Sequence, residues 1–255
     1  MRKILAPLLA LLLHPALARA QGLDLLDPSQ LCRAAVAVVE REAGTPPALL
    51  AAIARVESGK RDSASGAIHP WPWTINAEGR GSVFPTKAAA LAAVRQLQAQ
   101  GVRSIDVGCM QVNLHHHPNA FPNLDAAFDP ITNARYAARF LGELQASAQD
   151  WMTATGRYHS HTPERAETYR GLVSQAWAAE RQGGPGIPNP GLLAALQTLN
   201  PGFQPSPGFM PAPGGGGALL GNRAERVAPV AEAQPGRGRG LDAYRAAPTM
   251  LARRL

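Results

Sequence analysis

Four times between residues 27 and 163 a polar residue that caps helices is followed at once by proline: Asp27-Pro28, Thr45-Pro46, Asp129-Pro130 and Thr162-Pro163. An Asp or Thr side chain can accept from the free amides of a first helical turn, and proline fits the first helical position, where its missing N–H is not needed. Apolar residues at helical spacing follow each pair. Gly44 closes the first predicted helix, and Leu49, Ile53 and Val56 share a face of the second, which runs to about Glu57. Ile131, Ala134, Ala138, Leu141 and Leu144 mark another helix, and Tyr169, Leu172, Val173, Ala176 and Trp177 mark the last. Thr86 to Gln100, stopped by Gly101, and Asp150 to Tyr158 add two more. From Gly59 to Phe84 the Gly, Pro and Asn residues predict loop with short extended pieces, and Ser104 to Asn113 predicts a strand or turn leading to a short helix. The expected fold class is mainly α.

The ends read differently. Arg2 and Lys3, the apolar run Ile4 to Leu13 and the small-x-small set Ala18-Arg19-Ala20 have the layout of a secretory signal over 1–20, with a mature start near Gln21. Pro7 and His14-Pro15 interrupt that run, which argues against a membrane-spanning helix. Ser29-Gln30-Leu31 before Cys32 is not a lipoprotein signal, so an exported protein without an integral membrane segment is expected, in the periplasm. At the other end, residues 183–255 hold 14 glycines and 11 prolines, a composition that predicts a disordered, low-complexity tail. Within it Leu192, Leu193, Leu196 and Leu199 read as an incidental cluster, and removal of 183–255 is expected to spare the fold. The expected domain is therefore 21–182.

Charge follows the same division. The formal net charge is +7. Arg2, Lys3 and Arg19 stand against no acid in the signal, and seven tail arginines stand against Glu225, Glu232 and Asp242. Residues 21–182 are left with 15 basic and 15 acidic side chains. A neutral domain offers no electrostatic footprint for nucleic acid, and that partner is excluded. The two cysteines, Cys32 and Cys109, are too few for a thiolate zinc site, and in an oxidising compartment they are expected to pair. His115-His116-His117 cannot turn three adjacent rings onto one ion, so the expected metal and cofactor complement is none.

Glu57-Ser58 ends the second helix, and Gly108-Cys109-Met110-Gln111-Val112-Asn113 follows at a distance that allows both into one cleft. A glutamate at a helix C-terminus faces the negative end of the dipole, and desolvation adds to the pressure toward its neutral acid form. With Tyr158 and Glu167-Thr168-Tyr169 completing the order, residues 31–178 resemble the soluble lytic transglycosylases, lysozyme-like enzymes that cut peptidoglycan glycan strands. Trp71-Pro72-Trp73-Thr74-Ile75-Asn76, Ser104 to Gly108 and Tyr158-His159-Ser160 resemble more closely the subgroup found with secretion and conjugation machinery. His159 stands where the broader family has asparagine, and Cys109 where an aliphatic residue is common.

The resemblance implies Glu57 as general acid and base, with Ser58, Met110, Gln111, Asn113, Tyr158 and Tyr169 around the substrate, and a 1,6-anhydro-muramoyl product. Trp71, Trp73 and Met110 are expected as apolar walls for sugar faces. Asp106, Asp62 and Glu78 are the candidate second carboxylates of an alternative, a hydrolytic muramidase. A second alternative is a glycan-binding protein of the same fold without turnover.

Overall fold

The computed structural model describes residues 27–183 and 190–204; the signal segment 1–20 and residues 205–255 of the tail lie outside the described residues. The chain runs α1 (Pro28–Ala43), α2 (Leu49–Ser58), β1 (Gly59–Arg61), β2 (Ile68–Pro70), β3 (Thr74–Ala77), β4 (Arg80–Val83), α3 (Lys87–Ala99), β5 (Ile105–Val107), β6 (Val112–Asn113), α4 (Leu124–Ala127), α5 (Pro130–Ala148), α6 (Trp151–His159), α7 (Pro163–Gln182) and α8 (Pro190–Leu199). The mainly helical fold class is the one expected.

The two aspartate capping signals act as their chemistry dictates, while Thr162 precedes its helix without a side-chain cap bond. Asp27 accepts from Ser29 N at 2.9 Å and Asp129 from Thr132 N at 2.7 Å, each beside a proline at the start of its helix. Gly44 ends α1 in the left-handed region. The second helix departs from expectation, because it begins at Leu49 rather than at Pro46. Pro47 disfavours helical geometry at Pro46, and Ala48 is turned to φ +67°. The cap comes instead from across the helix pair: Glu40 on α1 accepts from Ala48 N at 3.2 Å and Ala51 N at 3.1 Å. Burial pushes the Glu40 carboxyl above its ordinary range, against the opposing pull of those amides.

Two apolar clusters result. Helices α1, α2, α5, α6, α7 and α8 enclose the larger, with Leu49, Leu50, Ile53, Ile131 and Leu141 fully buried. The smaller lies where β3 and β5 pack on α3 and α4 through Ile75, Val94, Ile105 and Phe128. Antiparallel strands in the order β4-β3-β5-β6 form the main sheet, and β1-β2 is a separate hairpin. On α7 the stripe is narrower than expected: Tyr169 and Val173 are buried, while Leu172 is exposed. Glu180, nearly buried on the same helix, meets Arg55 of α2 at 3.0 Å and Arg33 of α1 at 3.5 Å. Among the described residues no helix is long and apolar enough to cross a membrane.

The leucine cluster beyond residue 182 is not incidental. Leu192, Leu193 and Leu196 of α8 are buried in the helical core, and α8 packs along α1. Asn200 then donates to Asp129 Oδ1 at 3.0 Å, and Phe203 is buried under the Arg135 guanidinium. Residues 190–204 therefore complete the core, and removal of everything after Gln182 strips an apolar face from α1. Leu196→Ala is expected to lower stability by about 2–5 kcal/mol, the range for emptying a buried leucine site. Thermal melts of that variant and of a chain ending at Gln182 check this; unchanged midpoints would contradict the packing.

Cys32 on α1 and Cys109 are joined in a disulfide with a Cα–Cα distance of 5.6 Å and a sequence separation of 77. It ties the helical core to the segment before β6. Closing so long a loop is worth about 4 kcal/mol on the chain-entropy account. The double replacement by alanine is expected to lower the melting temperature accordingly. Two titratable thiols in the unreduced protein would contradict the pairing.

Candidate active site

Helix α2 delivers Glu57 and Ser58 to the middle of the domain, where both are almost fully buried. Gly59 lets the chain leave at that point. A Cβ there would lie 2.3 Å from the Arg55 carbonyl oxygen and 2.6 Å from Ile68 Cγ2, so no side chain fits. Glu57 keeps only 5% of its surface. Tyr169, reaching over from α7, donates its hydroxyl to Glu57 Oε1 at 2.6 Å. His159, the last residue of α6, stacks on the Tyr169 ring with centroids 4.6 Å apart and planes 7° from parallel.

The Gly108–Gln111 turn is held from several directions. Gly108 has φ +80°, and a Cβ on it would lie 2.7 Å from Asn133 Nδ2, so glycine is required on both counts. The fully buried Asn133 donates to Val107 O and Ala127 O, each at 3.0 Å, and accepts from Met110 N at 2.8 Å. Ser58 Oγ lies 2.7 Å from Cys109 O, and the Tyr158 hydroxyl donates to Met110 O at 2.8 Å. Gln111, itself at φ +48°, spans Thr74 O and Gly108 O with its amide nitrogen, each at 2.9 Å. Its Oε1 is buried with no hydrogen-bond partner among the described residues.

Glu57 opens onto a cleft of about 590 Å³. One wall comes from the sheet and carries Asn76, Glu78, Asp106 and Asn113. The other comes from the α6–α7 turn and carries Arg157, Tyr158, His159 and Arg165, with Gln111 also in the lining. Of the carboxyls in this lining Glu57 alone is buried. Glu78 is exposed, and Asp106 is half-buried with Asn113 Nδ2 on its Oδ1 at 2.8 Å.

Several expected contacts fall elsewhere. Met110 is wholly inside the helical core, so it offers no wall to a sugar. Ser58 and Tyr169 lie behind the lining and act on the turn and on Glu57. Trp71 and Trp73 are also outside the cleft lining. Trp71 donates to Phe84 O at 2.7 Å and carries the Lys60 ammonium over its ring, while Trp73 packs against both apolar clusters. Asp62 is spent in its own turn, where hydrogen bonds from Ser65 hold its carboxyl below the usual range. Asn113 reaches the cleft, but its oxygen accepts from His115 N and His116 N.

His117 sits against the Tyr136 hydroxyl at 2.8 Å, and burial lowers its pKa. Among the described residues no three His, Cys, Asp or Glu side chains group as a metal site would require.

The domain is mainly helical and carries one buried carboxyl at a polar cleft. The transglycosylase SLT domain family model matches residues 35–168, more than half of the chain, and the chain belongs to that family. No curated protein and no solved structure matches it. Membership carries a lytic-transglycosylase type of peptidoglycan cleavage, hence action outside the cytoplasm. The matched segment starts in α1 and ends one residue before Tyr169.

Asn133 was not singled out by sequence reasoning. The available signal was a lone amide one turn into an otherwise apolar helical stripe. Asn133→Ala removes a partner from three buried backbone groups, each costing about 1–3 kcal/mol when left unpaired. The variant is expected to melt well below the parent and to lose activity with the turn. Wild-type melting would contradict the role assigned to this side chain.

Proposed function

We propose that Glu57 is the one general acid and base of a lytic transglycosylase reaction. As an acid it protonates the oxygen between N-acetylmuramic acid and N-acetylglucosamine, and the bond from that oxygen to the muramoyl anomeric carbon breaks. The resulting carboxylate takes the proton of the C6 hydroxyl on the same muramoyl sugar as that oxygen bonds to the anomeric carbon. Glu57 is protonated again, no water is consumed, and the product end is a 1,6-anhydro sugar. The observation that carries this reading is the burial of Glu57 alone among the cleft carboxyls. Desolvation and the helix C-terminus favour the neutral acid needed first. The Tyr169 hydroxyl steadies the carboxylate formed next.

In this reading Gln111 and Asn113 meet the sugar from the cleft. Tyr158 lines the cleft while holding Met110 O. Met110, Ser58 and Tyr169 serve from behind. The signal segment 1–20 sends the protein to the periplasm. The resemblance at Trp71–Asn76, Ser104–Gly108 and Tyr158–Ser160 supports service to a wall-spanning secretion or conjugation apparatus. A hydrolytic muramidase is the second reading, and the observation in its favour is Asp106 in the same cleft.

Glu57→Gln keeps the size of the side chain but cannot carry the proton. Positioned acid–base groups contribute about 10²–10⁴ in rate, and here one group serves both half-reactions. Release of soluble muropeptides from purified sacculi is expected to fall by at least that factor, with melting temperature and sacculus binding retained. Undiminished release would overturn the assignment. Sacculus binding without release by the wild type would instead point to a glycan-binding protein.

A further inference from the structure

The side chain that follows Tyr158 touches the residue that holds Glu57. We propose that His159 is a positioning residue for Glu57, acting through Tyr169. The proposal rests on the reading of Glu57 as the acid–base group. His159 lines the cleft and lies face to face on the Tyr169 ring, at 4.6 Å and 7°. Tyr169 itself has no exposed surface. The imidazole therefore covers a ring face that would otherwise border the cleft, and it fixes the plane of the phenol.

That plane sets where the hydroxyl meets Glu57 Oε1 at 2.6 Å. The two supporting helices are locked together close by. A Cβ on Gly156 of α6 would lie 3.0 Å from the Ala166 carbonyl oxygen of α7, so the two helices are closely packed there. The stack is thus built on rigid ground. An asparagine at 159, as the broader resemblance has it, supplies no ring to stack.

The physical consequence concerns geometry. An offset or stacked ring pair favours its own geometry beyond burial, which holds one rotamer of Tyr169 over its alternatives. Without the cover, cleft water reaches the phenol and competes for the hydroxyl that steadies Glu57. The carboxyl then loses a donor that favours its charged form. Charged neighbours in the cleft also bear on Glu57: Arg157 and His161 beside the turn, Arg165 on α7, Asp106 on β5 and Glu78 after β3. His116 and His117 lie further along the lining. All of these are unchanged by substitution at 159, so a difference between variants reports the stack and the charge at 159 itself.

The test uses the full-length oxidised protein with His159→Phe, His159→Asn and His159→Ala. Two quantities are measured for each: kcat and KM for muropeptide release, and the carbon-13 titration of the Glu57 carboxyl. With Asn and Ala, kcat is expected to fall about ten- to a hundredfold, the scale of a small misplacement, with KM little changed. The Glu57 titration is expected to move upward in both. Phe keeps a flat ring without a titratable nitrogen, and is expected to restore most of kcat and the wild-type titration.

Wild-type kcat and titration in the Asn variant would overturn the proposal. So would a Phe variant as slow as Ala with an unmoved Glu57, which would make the imidazole a group that meets substrate directly. A wild-type protein that released nothing would defeat the reading of Glu57 as catalyst. The titrations would still decide whether the stack positions it.

Discussion

The Gly108–Gln111 turn is the point on which both halves of the molecule bear. Cys109 is bonded to α1, its carbonyl meets Ser58 of α2, and the Met110 amide and carbonyl go to Asn133 of α5 and Tyr158 of α6. Gln111 turns the other way, to Thr74 O at the head of β3. Four helices and the sheet are thus fixed to four consecutive residues. Backbone groups buried in such a turn must each find a partner, and nearly every one of these partners comes from an element distant in sequence. The left-handed geometry at Gly108 and Gln111 exists because this surrounding structure over-determines it.

Placing Glu57 beside that turn has an energetic cost, since a carboxyl with so little exposed surface is poorly solvated when charged. The fold meets the cost locally, through the Tyr169 hydroxyl, and holds the helices that carry these two residues in register from further off. Arg55, half a turn before Glu57, reaches Glu180 on the same helix as Tyr169, with Arg33 of α1 as the third member. Removing either arginine leaves the nearly buried Glu180 carboxylate with one partner fewer. The ion cluster and the Tyr169–Glu57 hydrogen bond therefore tie α2 to α7 at two levels, one structural and one facing the cleft.

Much of the helical frame was legible in the chain because its signals are local. Asp27-Pro28 and Asp129-Pro130 cap and start helices by short-range hydrogen bonds, and Gly44 ends one by its own backbone freedom. Thr45-Pro46 failed because Pro47 follows it and the cap is Glu40, a residue on another helix. The leucines of α8 were misread because a Pro/Gly-rich composition says nothing of what α1 leaves uncovered. In the candidate site, residue types were legible and orientations were not. Met110 is apolar and faces the core, Trp71 is aromatic and faces Lys60, and Asn133 is polar and faces a turn that no spacing rule connects to it.

The central claim is that one buried carboxyl returns its own proton by way of the sugar's C6 hydroxyl, leaving water out of the reaction. Mass spectrometry of the muropeptides that the wild-type protein releases from purified peptidoglycan tests it most directly. The account requires 1,6-anhydro-muramoyl ends, lighter by one water than hydrolytic products. Reducing muramoyl ends would contradict it and transfer attention to Asp106 as the group that activates water.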